Sequence, residues 1–205
     1  CMSVYADNYY AYATVDDGSC IIQGCLDSLA FNYNPIANLS NDMCYENGLT
    51  VVIGEEDNSI SNSVSATPFG TYYEDNKNQY LYTKEELYEL GLAAGEITSL
   101  AFNVVNAATN SINNFNIKVA FTNEIELYGF DNSVLPVYGN DIQPVSGWNT
   151  FVFDQAIYWD GNTNIIIQTC FDNDTYSVNS IVHTNETSFN SNAYAYQDNS
   201  SGCSL

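Results

Sequence analysis

The residues with the clearest chemical potential in this chain are oxygen donors. Asp16 and Asp17 stand side by side before Gly18 and Ser19, with Asn8 upstream and Asp27 and Asp42 further on. Hard cations prefer carboxylate and carbonyl oxygens, and adjacent carboxylates at a glycine turn would suit calcium. Asn8, Asp16, Asp17, Asp27 and Asp42 are therefore the candidate calcium ligands, although the EF-hand pattern is absent. The same Asp-Asp-Gly-Ser string can also form a turn held by side-chain hydrogen bonds with no ion, and both readings stand at this stage.

Six cysteines form the second chemical group: Cys1, Cys20, Cys25, Cys44, Cys170 and Cys203. None of their spacings is a zinc spacing, and only one histidine, His183, could assist. An even count with two equal short spacings and one distant pair predicts three disulfides. Cys1–Cys20 and Cys25–Cys44 are the preferred pairs, with Cys20–Cys25 open as an alternative. On the chain-entropy account each short loop contributes roughly 3 kcal/mol. Disulfides persist outside the cytoplasm, so an extracellular or cell-surface setting is expected.

Hydrolytic chemistry finds little support. A Ser-His-Asp or Cys-His mechanism would have to use His183, which sits in the alternating stretch 181–184, and no Gly-x-Ser-x-Gly elbow occurs. Glu124 and Glu126 as a glycosidase pair are compatible with almost any acidic surface. Asp154, Asp160, Asp172 and Asp174 fall near expected strand ends, where a ligand could bind but solvated turns are the simpler reading. Trp148 and Trp159 are expected in the core, and the abundant tyrosines in sheet packing. The chain reads as non-catalytic.

Charge narrows the partners. Twenty-five acidic residues against three lysines give a net charge of -22. Such a surface repels phosphate backbones and anionic bilayers, so neither nucleic acid nor membrane insertion is expected. No apolar run is long enough to span a bilayer, and no signal peptide or initiator Met is present, so a mature form or an excerpt of a longer polypeptide is expected.

The elements that must position these groups fall into two regions. Cys1 and Cys25 are 24 positions apart, as are Cys20 and Cys44, and Ala6, Asn8, Tyr9 and Ala13 recur as Ala30, Asn32, Tyr33 and Ala37. Residues 1–47 are thus two 24-residue cysteine-bearing repeats, too poor in apolar runs to build a large core without staples. From residue 48 to 205 the text changes to short alternating or apolar runs separated by Asn, Asp, Gly and Ser. Stretches 49–53, 79–83, 96–105, 114–122, 150–153, 164–170, 180–184 and 193–196 read as strands. One short helix opens at the capping box of Thr83 and Glu86 and stops at Gly91. The expected class is all-β, an antiparallel sandwich behind a small disulfide-stapled repeat region.

The repeat resembles a short acidic, cysteine-bearing repeat of secreted proteins of marine Bacteroidetes, whose usual form is close to G-C-x-D-x-x-A-x-N-Y-[ND]-P-x-A-x-x-D-D-G-S-C. Gly24, Cys25, Asp27, Ala30, Asn32, Tyr33, Asn34, Pro35, Ala37 and Cys44 carry the likeness in the second copy; Asp16, Asp17, Gly18, Ser19 and Cys20 carry it in the first. The first copy departs at Ser3, where the acid should be, and the second replaces the Asp-Asp-Gly-Ser end. Residues 49–205 are similar to a jelly-roll-like module of type IX-secreted surface proteins, through 67–70, 79–83, 97–102 and the run from Gly147-Trp148-Asn149 to Cys170-Phe171. The likeness implies an adhesin-type or structural surface module and no reaction. It also implies that Ser28, in the Asp-Ser-apolar pattern of O-glycosylation in that phylum, carries sugar. The function expected is an extracellular adhesive or structural module of a larger surface protein or a filament, joined by self-association or by neighbouring modules. The alternative is a carbohydrate-binding module whose partners are glycans.

Overall fold

The structure is a computed structural model that describes residues 1–28, 30, 33–40, 44, 48–54, 59–60 and 66–205, the pair 59–60 by backbone alone. The chain divides into two compact units: Cys1–Val52 with Gly91–Ala93, and Ile53–Leu90 with Ala94–Leu205.

In the first unit the sequence repeat is matched by a repeat of backbone hydrogen bonds. Ala6 donates to Ser3, Tyr9 to Ala6, Tyr10 to Cys1 and Ala13 to Tyr10. At the same 24-residue offset Ala30 donates to Asp27, Tyr33 to Ala30, Asn34 to Cys25 and Ala37 to Asn34. Disulfides Cys1–Cys20 and Cys25–Cys44 close the two copies, and the alternative Cys20–Cys25 is not formed. The only sheet in this unit among the described residues is a two-residue parallel pairing of β1 (Gln23–Gly24) with β2 (Leu39–Ser40). Gly24 is required by packing: an added Cβ would stand 2.9 Å from that of Asn34 and 3.0 Å from that of Ala37.

The second unit is a sandwich of antiparallel sheets. Its elements are β3 (Ser59–Ile60), β4 (Asp75–Tyr82), α1 (Lys84–Glu89), β5 (Gly95–Asn106), β6 (Ile112–Thr122), β7 (Leu135–Ile142), β8 (Gly147–Trp159), β9 (Asn164–Asp172), β10 (Ile181–His183), β11 (Asn192–Gln197) and a terminal 3-10 turn, Gly202–Ser204. One sheet runs β3-β10-β5-β8 and the other β11-β4-β9-β6-β7. The predicted capping box is formed, with the Glu86 amide donating to the Thr83 hydroxyl and the Thr83 amide to the Glu86 carboxylate. Gly91 then takes φ +88, a conformation that favours glycine.

Aromatic rings from both sheets meet in the core. Phe115 of β6 lies 5.2 Å from Phe151 of β8, and Phe69, from the loop before β4, lies 5.6 Å from Phe115 and 5.8 Å from Phe102 of β5. Tyr138 of β7 meets Phe151 edge-on at 5.1 Å. The five-stranded sheet is also covered on its other face, where Leu81, Ala120 and Ile166 pack with Leu127, Val134 and Phe189. Double coverage explains why β9 reads as a continuous apolar run rather than an alternating one. The third disulfide joins Cys170 to Cys203.

Two sequence expectations change. Residues 49–53 form no strand. A strand the sequence did not reveal, β7, contains Pro136 and Gly139, residues that sheets tolerate at an edge, and β7 is an edge.

Candidate functional site

The predicted calcium ligands of the first unit are turn formers in this geometry. Asp16 Oδ1 accepts the Gly18 amide at 3.0 Å; Asp17 Oδ1 accepts the Ser19 hydroxyl at 2.6 Å and the Ser19 amide at 3.0 Å. The Ser19 hydroxyl, with the Ser19 amide, holds the Asp17 carboxyl down at about 2. Asn8 donates to the Ser19 carbonyl at 2.6 Å and accepts the Ile21 amide at 2.9 Å. Asn38 does the same one residue later, donating to Cys20 at 2.6 Å and accepting from Ile22 at 2.9 Å. The two carboxamides thus grip the junction between the copies. Asn8, Asp16 and Asp17 meet around Ser19. Asp27 lies apart, in the second copy's first turn, next to an exposed Ser28, and Asp42 lies outside the described residues. Among the described residues no three Asp, Glu, His or Cys side chains are grouped to hold a metal ion.

The four aspartates singled out in the sandwich are dispersed. Asp160 caps the β8–β9 turn, where the Asn162 amide and the Thr163 hydroxyl lower its carboxyl; Gly161 supplies φ +74. Asp172 stands opposite Asp75 in the β4–β9 ladder. Burial, then the hydrogen bond with Asp172, raises Asp75 to about 6. Burial pushes Asp172 upward too, but the Asp75 carboxyl and the Gly202 amide outweigh it and lower Asp172. The pair fastens the chain end: Ser200 donates its amide to Asp75 and Gly202 its amide to Asp172, both at 2.7 Å. Asp174 is exposed, and Asp154 lies within β8. Glu126 accepts from Asn190, and the Glu124 carbonyl accepts from Asn164, so both glutamates lie in a covering loop. His183 Nδ1 is buried and has no hydrogen-bond partner among the described residues.

What the fold assembles instead is an open flank, where β7 and β8 are, among the described residues, the edge strands of their sheets. A groove of about 590 Å³ lies between them, lined by Val119, Leu135, Val137 and Ile157 with Asp154 as its charged group. The β5–β8 ladder jumps from Ser99↔Val152 to Ile97↔Ile157, so residues 153–156 stand opposite Thr98 alone. That bulge ends the regular edge of β8 at Val152.

Upstream of the bulge β8 is regular and its outward side chains are apolar. Phe151 points into the core, so Trp148, Thr150 and Val152 point out. Trp148 is 49% and Val152 67% exposed, beside Val105 of β5 at 42%. The core position expected for Trp148 is therefore corrected by strand parity. Trp159 is fully buried and donates its indole N–H to the Thr163 carbonyl at 2.8 Å. Residues 97–106 and 147–153 contain no Asp, Glu, Lys or Arg, although the chain has 25 acids. That gap in the charge was visible in the sequence but meant nothing until the ladder put both stretches side by side.

The tyrosines of β11 form a packing stack. Tyr196 lies 4.3 Å from Tyr73 with planes 22° apart, and Tyr194 continues the series at 6.1 Å.

Comparison with protein-family models, with curated proteins and with solved structures found no match.

Proposed function

We propose that this chain is a non-catalytic extracellular module that works by holding partners, an adhesive or structural building block of a larger surface protein or filament. The observation that supports the reading is the β8 edge: six regularly paired residues, with no strand on their other side among the described residues and with an uncharged apolar outer face on a strongly acidic protein. Unpaired N–H and C=O groups on such an edge are a template for another strand. The stapled repeats serve as a stiff spacer, with calcium as a further clip on the Asp16–Asp17 loop. Three disulfides accord with the extracellular setting, and no described helix is long and apolar enough to cross a membrane. The surface-protein class that the repeat resembles accords with the same role.

Electron microscopy of native material tests this. Dimers or regular polymers built from the chain are expected, and loss of polymers on chelation would put calcium at the joints. Isolated monomers with and without chelator would overturn the assembly reading.

The second reading, a carbohydrate-binding module, is favoured by the exposed indole of Trp148, whose face can stack on a sugar ring. Glycan-array binding that disappears in Trp148→Ala would favour it.

A further inference from the structure

We infer that the β8 edge pairs with the β8 edge of a second copy of this chain, antiparallel and two-fold about Thr150. The inference rests on the assembly reading above and names its partner.

Electrostatics selects the occupant. A cationic partner would be drawn to the acidic surfaces. Two copies carrying -22 each repel everywhere except where charge is missing. The outward positions of β5 and β8 on this face are Ser99, Ala101, Asn103 and Val105 beside Trp148, Thr150 and Val152, and none carries charge. The face is a neutral window on which two copies can approach.

The edge is also self-complementary. Centring the two-fold on Thr150 places Trp148 of each copy opposite Val152 of the other. Aromatic against β-branched is among the favourable cross-strand pairs. Asp154, the nearest carboxylate, lies beyond Val152 in the bulge and so outside the paired segment. Isologous contacts of this kind close on themselves, giving a dimer rather than an open fibre. The usual protections of an edge are a lysine, a proline or a bulge. The first two are missing from 147–152, and the bulge begins only at 153. Centred on Thr150, the segment that can pair regularly is therefore 148–152, about 17 Å long.

Sedimentation velocity of the full chain up to submillimolar concentration tests this, with Thr150→Glu, Thr150→Lys and, as control, Tyr176→Glu at an exposed loop position. The wild type and the control are expected to dimerise. Each Thr150 variant sets like charges opposite each other and weakens association by about tenfold or more. An equimolar mixture of the two is expected to recover it as a heterodimer. Hydrogen exchange of the wild type gives a readout free of variants: protection of the 148–152 amides that do not bond to β5 should rise with concentration. A monomeric wild type, open-ended aggregates, a mixture that does not recover, or dimers indifferent to residue 150 would each overturn the pairing. Dimers indifferent to residue 150 leave the assembly reading standing, and that reading falls only with monomers in the micrographs of native material.

Discussion

In residues 1–52 many apolar side chains face water: Val4, Tyr5, Tyr12 and Val15 are all exposed. In the sandwich, Asp75, Asn76, Lys77, Asn78 and Gln79 are all buried. The inversion follows from what each region has to build with. The repeats hold too few residues per copy to enclose a core, so their shape comes from disulfides and from carboxamides bonded to backbone. The sandwich has a core to spare, and its polar strand β4 is buried because surrounding segments close over it. Asn76 donates to the Gly70 carbonyl and Asn78 to the Thr67 carbonyl. Gln79 exchanges two hydrogen bonds with the backbone of Asp131, and the Lys77 ammonium lies 4.2 Å over the Phe130 ring. Burial here follows enclosure and hydrogen-bond satisfaction as much as residue type.

Removing the staples should break this contrast most strongly. Each loop in the repeats contributes about 3 kcal/mol, so full reduction is expected to unfold residues 1–52 while the sandwich keeps its β structure. Amide exchange before and after reduction checks it; repeats that stay protected when reduced would show a core that the geometry does not reveal. Phe115→Ala works in the opposite direction. Loss of this fully buried ring should destabilise the sandwich by about 3–5 kcal/mol, with no change in exchange at the repeat amides. Denaturant unfolding followed by Trp159 fluorescence measures it.

Smaller effects sharpen the picture. Asn38→Ala removes both bonds of one junction clamp and leaves the Cys20 carbonyl and Ile22 amide to water, which should cost about 1–2 kcal/mol. Faster exchange at Ile22, with Cys25–Cys44 intact, is the expected signature.

The smallest effect is at the carboxyl pair. Asp75 is raised in the fold, so its contribution is complete below the ordinary carboxylate range and lost as pH rises through about 6. Asp172 is lowered, so its contribution is present above the ordinary range and lost as pH falls. The pair is most stabilising between the ordinary range and about 6. Asp75→Asn keeps an acceptor for Ser200 and a donor for Asp172 without the charge. It should reduce the fall in stability between pH 5 and pH 8, by about 1 kcal/mol or less given the solvent at the sheet end. Calorimetry at the two pH values decides it, and an unchanged slope would mean that the pair does not share a proton.

The legible parts of this protein were those fixed by local rules. The capping box of Thr83 and Glu86, the alternation that became β6 and the Asp160-Gly161 turn each depend on neighbours within a few positions. So does the Asp-Asp-Gly-Ser turn, whose hydrogen bonds are local even though calcium was the more eventful reading. Strand β7 was illegible because Pro136 and Gly139 erase the period-two signal, and only an edge position makes them acceptable. Residues 49–53 showed the converse, an apolar run with no ladder to join.

Sequence by itself determined the class, the cysteine framework and the excess of negative charge, because composition and short-range spacing carry them. Tertiary structure decided which polar strand is buried, which carboxylate faces which, and which tryptophan is exposed. Trp148 and Trp159 lie on one strand, and only tertiary packing sets which faces water: Tyr88 of α1 lies 5.8 Å from the buried Trp159, while Trp148 stands on the exposed outer face. The neutral window is of the same kind: two uncharged stretches about fifty residues apart become one surface only when the ladder registers them.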